Sequence, residues 1–408
     1  MSESAALPFS SLPEQSPPST VPHNPAKPIE LEQISAATEP QPPATPTPEP
    51  VEQRVGYAVV GLGHLALNQI LPAFGTSKRA RIVALVSGDP NKLQRVASQY
   101  GVTPGNCYDY AHFDALRDNP EVQIVYLVLP NGLHAEFTIR AARAGKHVLC
   151  EKPMATSVTE CEAMIAACQQ AGVKLMVAYR IQYEPLNRQL REWVRQEKFG
   201  KVKNIIAISS QNTDNPDHWR LKKALGGGGA LPDSGLYCLN TVRFVLGEEP
   251  VEVVAYVYSN PDDPRFQEVD EQVNWLMRFP GGVQASCSTG FSQYTDKSYE
   301  VLAERGWLRM DPGFPYNGLR LQTSFADGHD NQVVQHQLPS PDQFATELDH
   351  LADCVQRDVE PFTGGTEGRQ DQVIMEAIYQ SAREGRSIRL PATPTGRDVF
   401  RGPEPKLP

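Results

Sequence analysis

An apolar run, VGYAVVG, passes directly into the hexapeptide Gly61-Leu62-Gly63-His64-Leu65-Ala66, and the chain continues as LALNQILPAF with the spacing of a helix. Such a turn leaves few options, because it must join a buried strand to a helix lying close against it. Gly61 permits the tight turn, Gly63 lets the backbone approach a pyrophosphate, and Ala66 keeps the helix near the strand, whose first amides then face the phosphates. Taken alone, G-x-G-x-x-A also fits a chance glycine turn. At the head of a strand-helix-strand series it reads as a dinucleotide site.

That series follows at once. RIVALV, IVYLVLP, HVLCEKP and KLMVAY read as buried strands, separated by the helical stretches PNKLQRVASQY, HAEFTIRAARAG and VTECEAMIAACQQAG. Parallel neighbours need a crossover and each helix supplies one, so residues 55–178 are expected to form an α/β Rossmann domain, a doubly wound parallel sheet. After a helix from Pro185 to about Lys198 the rhythm changes: NIIAISSQ, VEVVAYVYS, QVNWLMRF, GVQASCST, YEVLAERG and GWLRMD follow with little but turns between them. Residues 179–400 are therefore expected to be an α+β domain with an open, mostly antiparallel sheet. Two late helices, near Asp342 to Gln356 and Glu367 to Glu384, are expected to pack back onto the protein, and one face of the sheet should pack on helices. The other is offered as a homodimer or homotetramer interface. A chain of 408 residues has room for these two cores.

Residues 1–54 are expected to be a disordered tail, since the first fifty hold 13 of the 36 prolines and show no periodicity. Residues 401–408 read as a short second tail. A formal charge of -10 disfavours a nucleic-acid or anionic-membrane partner. The seven cysteines are scattered without CxxC spacing, so neither disulfides nor a metal site are expected. With no bilayer-length apolar run and no secretory leader pattern, the expected location is the cytoplasm.

The choice of dinucleotide turns on the end of the second strand, ALVSGDPNK. An acid there would hold the ribose 2'-hydroxyl of NAD; the strand instead ends in Ser87-Gly88, which leaves room for a 2'-phosphate, with Lys92 placed to supply charge. NADP is preferred on this ground. Asp89 keeps NAD open, although Asp before Pro90 also fits a helix cap.

Two clusters carry the chemistry. Glu151-Lys152-Pro153 delivers a lysine to the carboxyl edge of the parallel sheet, where it could orient a hydroxyl and stabilise an oxyanion, with Pro153 a candidate for a cis peptide. EKP alone fits a surface lysine before a helix-starting turn better. Gly226 to Gly229 form a loop able to come close to a ligand, and the helix after it carries Asp233 and Tyr237 at i and i+4, on one face. A phenol acts as a base near neutrality only beside a cation, and Lys152 across the cleft is the candidate. A capping Asp and a half-buried Tyr would look the same in isolation. Tyr316 and Tyr294 are offered for the pocket rim.

These residues together resemble the glucose-fructose oxidoreductase branch of the Gfo/Idh/MocA oxidoreductase family, over roughly Val55 to Arg389. The likeness rests on GLGHLALNQILPAF, the LVSG strand end, LPNGLHAEFTIRAARAGKHVLCEKPMATSV, YRIQYEPLNR, DHWRLKKALGGGGALPDSGLYCLN and LGEEPVEVVAYVYS. It implies hydride transfer between nicotinamide and a sugar, with Lys152 polarising the reacting group, Tyr237 exchanging its proton and Asp233 binding sugar hydroxyls. Most family members have His where this chain has Tyr237. The resemblance further implies cofactor contacts from Leu129, Pro130, Asn131, His134, Glu151, Lys152, Arg180, Trp219 and Arg220, and Ser87 and Lys92 as NADP readers. In that branch an aldose is oxidised to a lactone and a ketose reduced to a polyol on a retained cofactor wrapped by an N-terminal arm. The segment before Val55 resembles neither that arm nor an exporting signal. An aldose 1-dehydrogenase or anhydro-sugar reductase with exchangeable cofactor, and a non-catalytic dinucleotide-sensing regulator, are the alternatives; the presence of Lys152 speaks against the regulator.

Overall fold

The computed structural model describes residues 49–405 apart from 328, 329 and 340. Strands β1 (Val55–Val60), β2 (Ala80–Val86), β3 (Cys107–Tyr108), β4 (Ile124–Leu127), β5 (His147–Glu151) and β6 (Leu175–Ala178) make a parallel sheet in the order β3-β2-β1-β4-β5-β6. Its crossovers are α1 (Leu71–Ala73), which continues a π turn over Ala66–Ile70, then α2 (Pro90–Tyr100), α3 (His134–Arg143) and α4 (Val158–Ala171). Every residue of β1 is buried, as a strand covered on both faces requires. The strand order reverses between β1 and β4, so their carboxyl ends open the crevice where ligands of such sheets bind.

The rest of the chain adds α5 (Pro185–Arg195), β7 (Val202–Asn212), α6 (Lys223–Gly226), α7 (Leu236–Leu246), β8 (Glu252–Tyr258), β9 (Gln272–Arg278), β10 (Gln284–Gly290), β11 (Ser292–Ala303), β12 (Gly306–Met310), β13 (Leu321–Asp327), β14 (Asp330–His336), α8 (Gln343–Arg357), α9 (Gly365–Glu384) and β15 (Ile388–Arg389). Its nine strands lie in the order β14-β13-β12-β11-β7-β10-β9-β8-β15, antiparallel except for the β7–β10 pair. The helices between β7 and the β8–β10 meander allow that parallel neighbour. Both expected sheets are therefore present.

Alternation along β9 shows how the second sheet is used: Val273, Trp275 and Met277 are buried while Asn274, Leu276 and Arg278 are exposed. The buried row joins a core with Leu190 of α5, Val242 of α7 and Ile374 of α9. The exposed row continues in Ile206, Tyr256 and Leu276.

Helix α8 returns to the first sheet. Leu348 and Leu351 pack with Tyr57, Tyr126, Leu149 and Met176, and the Tyr57 hydroxyl donates to the Leu348 carbonyl at 2.7 Å. One face of the parallel sheet is thus covered from the far end of the chain.

Residues 1–48 of the expected tail lie outside the described residues; Glu49 and Arg54 are tied down, Glu49 N donating to Lys78 O at 3.1 Å and Arg54 Nε to Glu49 O at 2.9 Å. The start of the C-terminal segment read as a tail is also anchored, because Arg401 is buried in ion pairs with Glu367 at 2.7 Å and Asp398 at 2.9 Å. All seven cysteines are unpaired.

Candidate functional site

A cleft of about 980 Å³ opens at the carboxyl ends of β1, β2, β4 and β5 and runs beneath the start of α7, within the ordinary range for small-ligand sites. At one end lie Gly61, Leu62, Gly63, His64 and Leu65, with Ser87, Gly88 and Lys92 beside them. Gly61 has φ +93, and a Cβ there would stand 2.3 Å from the Val128 carbonyl, so no other residue makes this turn without strain. A Cβ on Gly63 would meet nothing within 4 Å: the turn presents bare backbone to open space. Ala66 is fully buried against the strand.

Asp89, the competing NAD acid, lines the cleft but turns one carboxylate oxygen to capping α2. Its Oδ1 accepts from the amides of Asn91 and Lys92, each at 3.0 Å, capping α2. Ser87 closes the strand and the Lys92 side chain is exposed at the cleft, so this end fits a dinucleotide bearing a 2'-phosphate. Leu129, Pro130 and Asn131 follow β4 into the wall, and Asn131 Nδ2 also donates to Gly226 O at 2.8 Å, joining the two domains.

His134 is placed differently from what the resemblance implies. It is wholly buried, with Nδ1 2.9 Å from Pro153 O and Nε2 2.9 Å from Leu129 O, and burial holds its pKa below the usual imidazole range. It clamps two wall segments together and does not line the cleft. Tyr294 likewise stands outside, 95% exposed, whereas Tyr316 lines the cleft. The four-glycine loop does not line it either: a Cβ at Gly229 would stand 2.0 Å from Asp270 O and one at Gly227 2.7 Å from Thr156 Cγ2. Those glycines permit close packing of protein on protein, a demand that looks the same in sequence as close approach to a ligand.

At the other end Lys152, directly after β5 and joined to Pro153 by a cis bond, reaches the start of α7. Its Nζ donates to Asp233 O at 2.8 Å, stands 3.5 Å from Asp233 Oδ1 and lies 4.6 Å from the centre of the Tyr237 ring. The helix carrying Tyr237 opens with a π turn over Leu231–Gly235 that holds Asp233, a kind of turn frequent at functional sites. Arg220 Nε donates to Asp233 Oδ1 at 2.9 Å, with its guanidinium 4.4 Å from the Trp219 ring. Burial pushes the Asp233 carboxyl up, but Arg220 and Lys152 outweigh it and hold it well below the usual carboxylate range.

Tyr237 has a second cation that sequence reasoning assigned only to the cofactor. The Arg180 guanidinium sits between two rings, 4.9 Å from Tyr237 and 4.6 Å from Tyr316, held by Gln343 Oε1 at 2.7 Å and the Phe314 carbonyl. Burial raises the phenol's pKa, yet Arg180 and then Lys152 overcome it, leaving Tyr237 below its ordinary value. Glu151, at the end of β5, accepts from the Tyr126 hydroxyl at 2.7 Å, and burial raises its carboxyl. Tyr110, Gln211, Lys297, Phe314 and Phe344 also line the cleft and carried no recognisable sequence signal. They come from distant strands and loops whose meeting is a tertiary event. Among the described residues no group of three or more His, Cys, Asp or Glu converges, and no helix is long and apolar enough to cross a membrane.

This arrangement, a dinucleotide turn facing a lysine, a carboxylate and a cation-flanked phenol, suits proton exchange beside a hydride carrier. The chain is also similar to known oxidoreductases. Residues 55–179 match the profile described as "Oxidoreductase family, NAD-binding Rossmann fold", and residues 187–309 that of the GFO/IDH/MocA C-terminal domain. A D-xylose 1-dehydrogenase (NADP(+)) of Haloarcula marismortui is 31% identical, over 82% of this chain and 93% of its own length. The aldose-aldose oxidoreductase from Caulobacter crescentus, crystallised with glycerol, is 42% identical with a TM-score of 0.80, covering 83% of this chain and 100% of its own. A 3-ketoreductase from Actinomadura kijaniata in complex with NADP and TDP-benzene is 25% identical with a TM-score of 0.72, covering 80% and 98%. A parallel sheet with this turn, an open sheet after it, and matches across both identify the chain as a member of the Gfo/Idh/MocA oxidoreductase family.

Proposed function

We propose that this chain is an NADP-dependent sugar oxidoreductase that oxidises an aldose at its anomeric carbon to the lactone, and that the same cofactor is returned to its oxidised form by a second sugar carbonyl. The observation that carries this reading is the Lys152 ammonium lying against Tyr237 and Asp233 at the open end of the dinucleotide cleft. The relatives named for NADP-dependent xylose oxidation and for aldose-aldose exchange support the substrate class.

NADP would be held by the Gly61–Leu65 turn, with Ser87 and Lys92 at its 2'-phosphate; when bound it supplies the hydride acceptor and donor. The chain's own groups manage charge and protons. Tyr237, flanked by Arg180 and Lys152, takes the proton from the anomeric hydroxyl and gives it back in the reductive half. Lys152 donates a hydrogen bond to the sugar oxygen as negative charge grows there. Asp233, kept ionised by Arg220 and Lys152, accepts hydrogen bonds from neighbouring hydroxyls and fixes the sugar's orientation. Trp219 and Tyr316 wall the cleft and limit water. A second copy of the chain covers the apolar row of the open sheet, giving the homodimer or homotetramer.

The test is to denature purified protein, assay released nicotinamide, and screen aldoses for reduced-cofactor absorbance. Bound NADP that turns over an aldose only when a second carbonyl is added supports the coupled cycle. Steady release of NADPH assigns an ordinary aldose 1-dehydrogenase instead, and no aldose-dependent reduction at all overturns the reading.

A further inference from the structure

The inward-facing rows of β7 and β11 are apolar or small for most of their length: Ile205, Ala207 and Ser209 on one, Tyr299 and Val301 on the other, all buried. Each row then continues, where it reaches the cleft, in a long polar side chain, Gln211 on β7 and Lys297 on β11. The register between the two strands shifts between Ser292 and Asp296. Ser210 pins this irregularity, its hydroxyl donating to Tyr294 O at 2.9 Å and accepting from Asp296 N at 3.2 Å. Such bulges commonly re-aim a side chain beside an active site. Here the residue next to the bulge is Lys297, whose carbonyl is held in turn by Gly313 N at 2.6 Å.

Lys297 forms no ion pair among the described residues; its Nζ donates only to Gln211 Oε1, at 3.3 Å. Burial lowers its pKa, Tyr237 and Asp233 counter this, and Arg180 and Lys152 add to it, so the ammonium shares one space with the proposed chemistry. Two of its protons and the Gln211 amide protons remain for a ligand in the cleft. The pair thus offers donors together with the Gln211 carbonyl oxygen, a mixture that matches hydroxyls, which both accept and donate.

We propose that Lys297 and Gln211 form the subsite for the sugar hydroxyls remote from the reacting carbon, and that this pair sets the preference of the enzyme for longer aldoses. The inference rests on the sugar oxidoreductase reading above. Lys297 is on this account a positioning residue that acts through sugar orientation, and the proton exchange stays with Tyr237.

The experiment compares glyceraldehyde, a pentose and a hexose as reductants of bound NADP, in the wild type, Lys297→Met and Gln211→Ala, with NADP affinity measured for each protein as a check on folding. The wild type should favour the longer aldoses. Lys297→Met should raise the hexose KM roughly 10- to 100-fold, the loss of a charge-assisted hydrogen bond, with kcat within about threefold and glyceraldehyde within about twofold. Gln211→Ala should act in the same direction and more weakly; if Lys297→Met does not fold, Lys297→Gln and Gln211→Ala carry the test. An equal loss on all three sugars, a fall in kcat without a change in KM, or a wild type that does not favour longer aldoses would overturn the proposal. A wild type that oxidises none of them fails at the earlier reading, separately from this one.

Discussion

The ammonium of Lys152, at the rim of the parallel sheet, lies 4.6 Å from the centre of the Tyr237 ring on the helix of the other domain. No local rule links the two: they are 85 positions apart by their numbers and meet in the cleft that both domains line. If this contact is the working centre, Lys152→Ala and Tyr237→Phe should each lower kcat by roughly 10²- to 10⁴-fold, the usual scale for a positioned proton donor or acceptor. NADP affinity, read by fluorescence titration, should change little in either.

Lys92→Ala should weaken NADP more than NAD, by about tenfold, because it removes a charge-assisted hydrogen bond to the phosphate worth about 1.5 kcal/mol, the low end for such bonds at an exposed site. Equal losses for both dinucleotides would remove Lys92 as a reader of the 2'-phosphate.

Arg180 holds the Tyr237 phenol below its ordinary value more strongly than Lys152 does. A base with a lowered pKa is deprotonated, and active in oxidation, at lower pH. Arg180→Met should therefore move the rise of kcat toward higher pH, as seen in a full pH–rate profile. A profile that keeps its midpoint would show that Arg180 acts on something other than the phenol.

Asp398 is half-buried among Arg195, Arg401 and Arg191; partial burial raises its carboxyl, but the arginines prevail and bring it down to about 2. A depressed carboxylate stabilises the fold above its unfolded value, near 3.9, and that contribution is lost as the pH falls through the folded one. Asp398→Asn should cost about 2 kcal/mol at pH 7, and the gap to wild type in urea unfolding should close between pH 4 and 2. A gap unchanged across that window would mean that the carboxylate's charge contributes nothing.

The exposed row Ile206, Tyr256 and Leu276, at 39%, 80% and 47% exposure, is unusually apolar for a solvated sheet face. Ile206→Lys with Leu276→Lys should give a smaller species in light scattering with an unchanged circular dichroism spectrum. A mass equal to that of the wild type would place any assembly on another face.

The sequence by itself determined the two sheets, the glycine turn and the chemical types at the centre, because each has a local cause: strand and helix periodicity, the φ +93 turn at Gly61, and a lysine ending a parallel strand. It also pointed to the Asp89 cap, a contact spanning only three residues. Only the tertiary structure decided that α8 covers the parallel sheet, that Arg180 flanks the phenol, that His134 is a clamp, and that Lys297 and Gln211 reach the cleft. Those outcomes depend on which distant side chains share a low-dielectric space. Burial and Coulomb energy are set there by distance in three dimensions, a quantity that spacing along the chain does not encode.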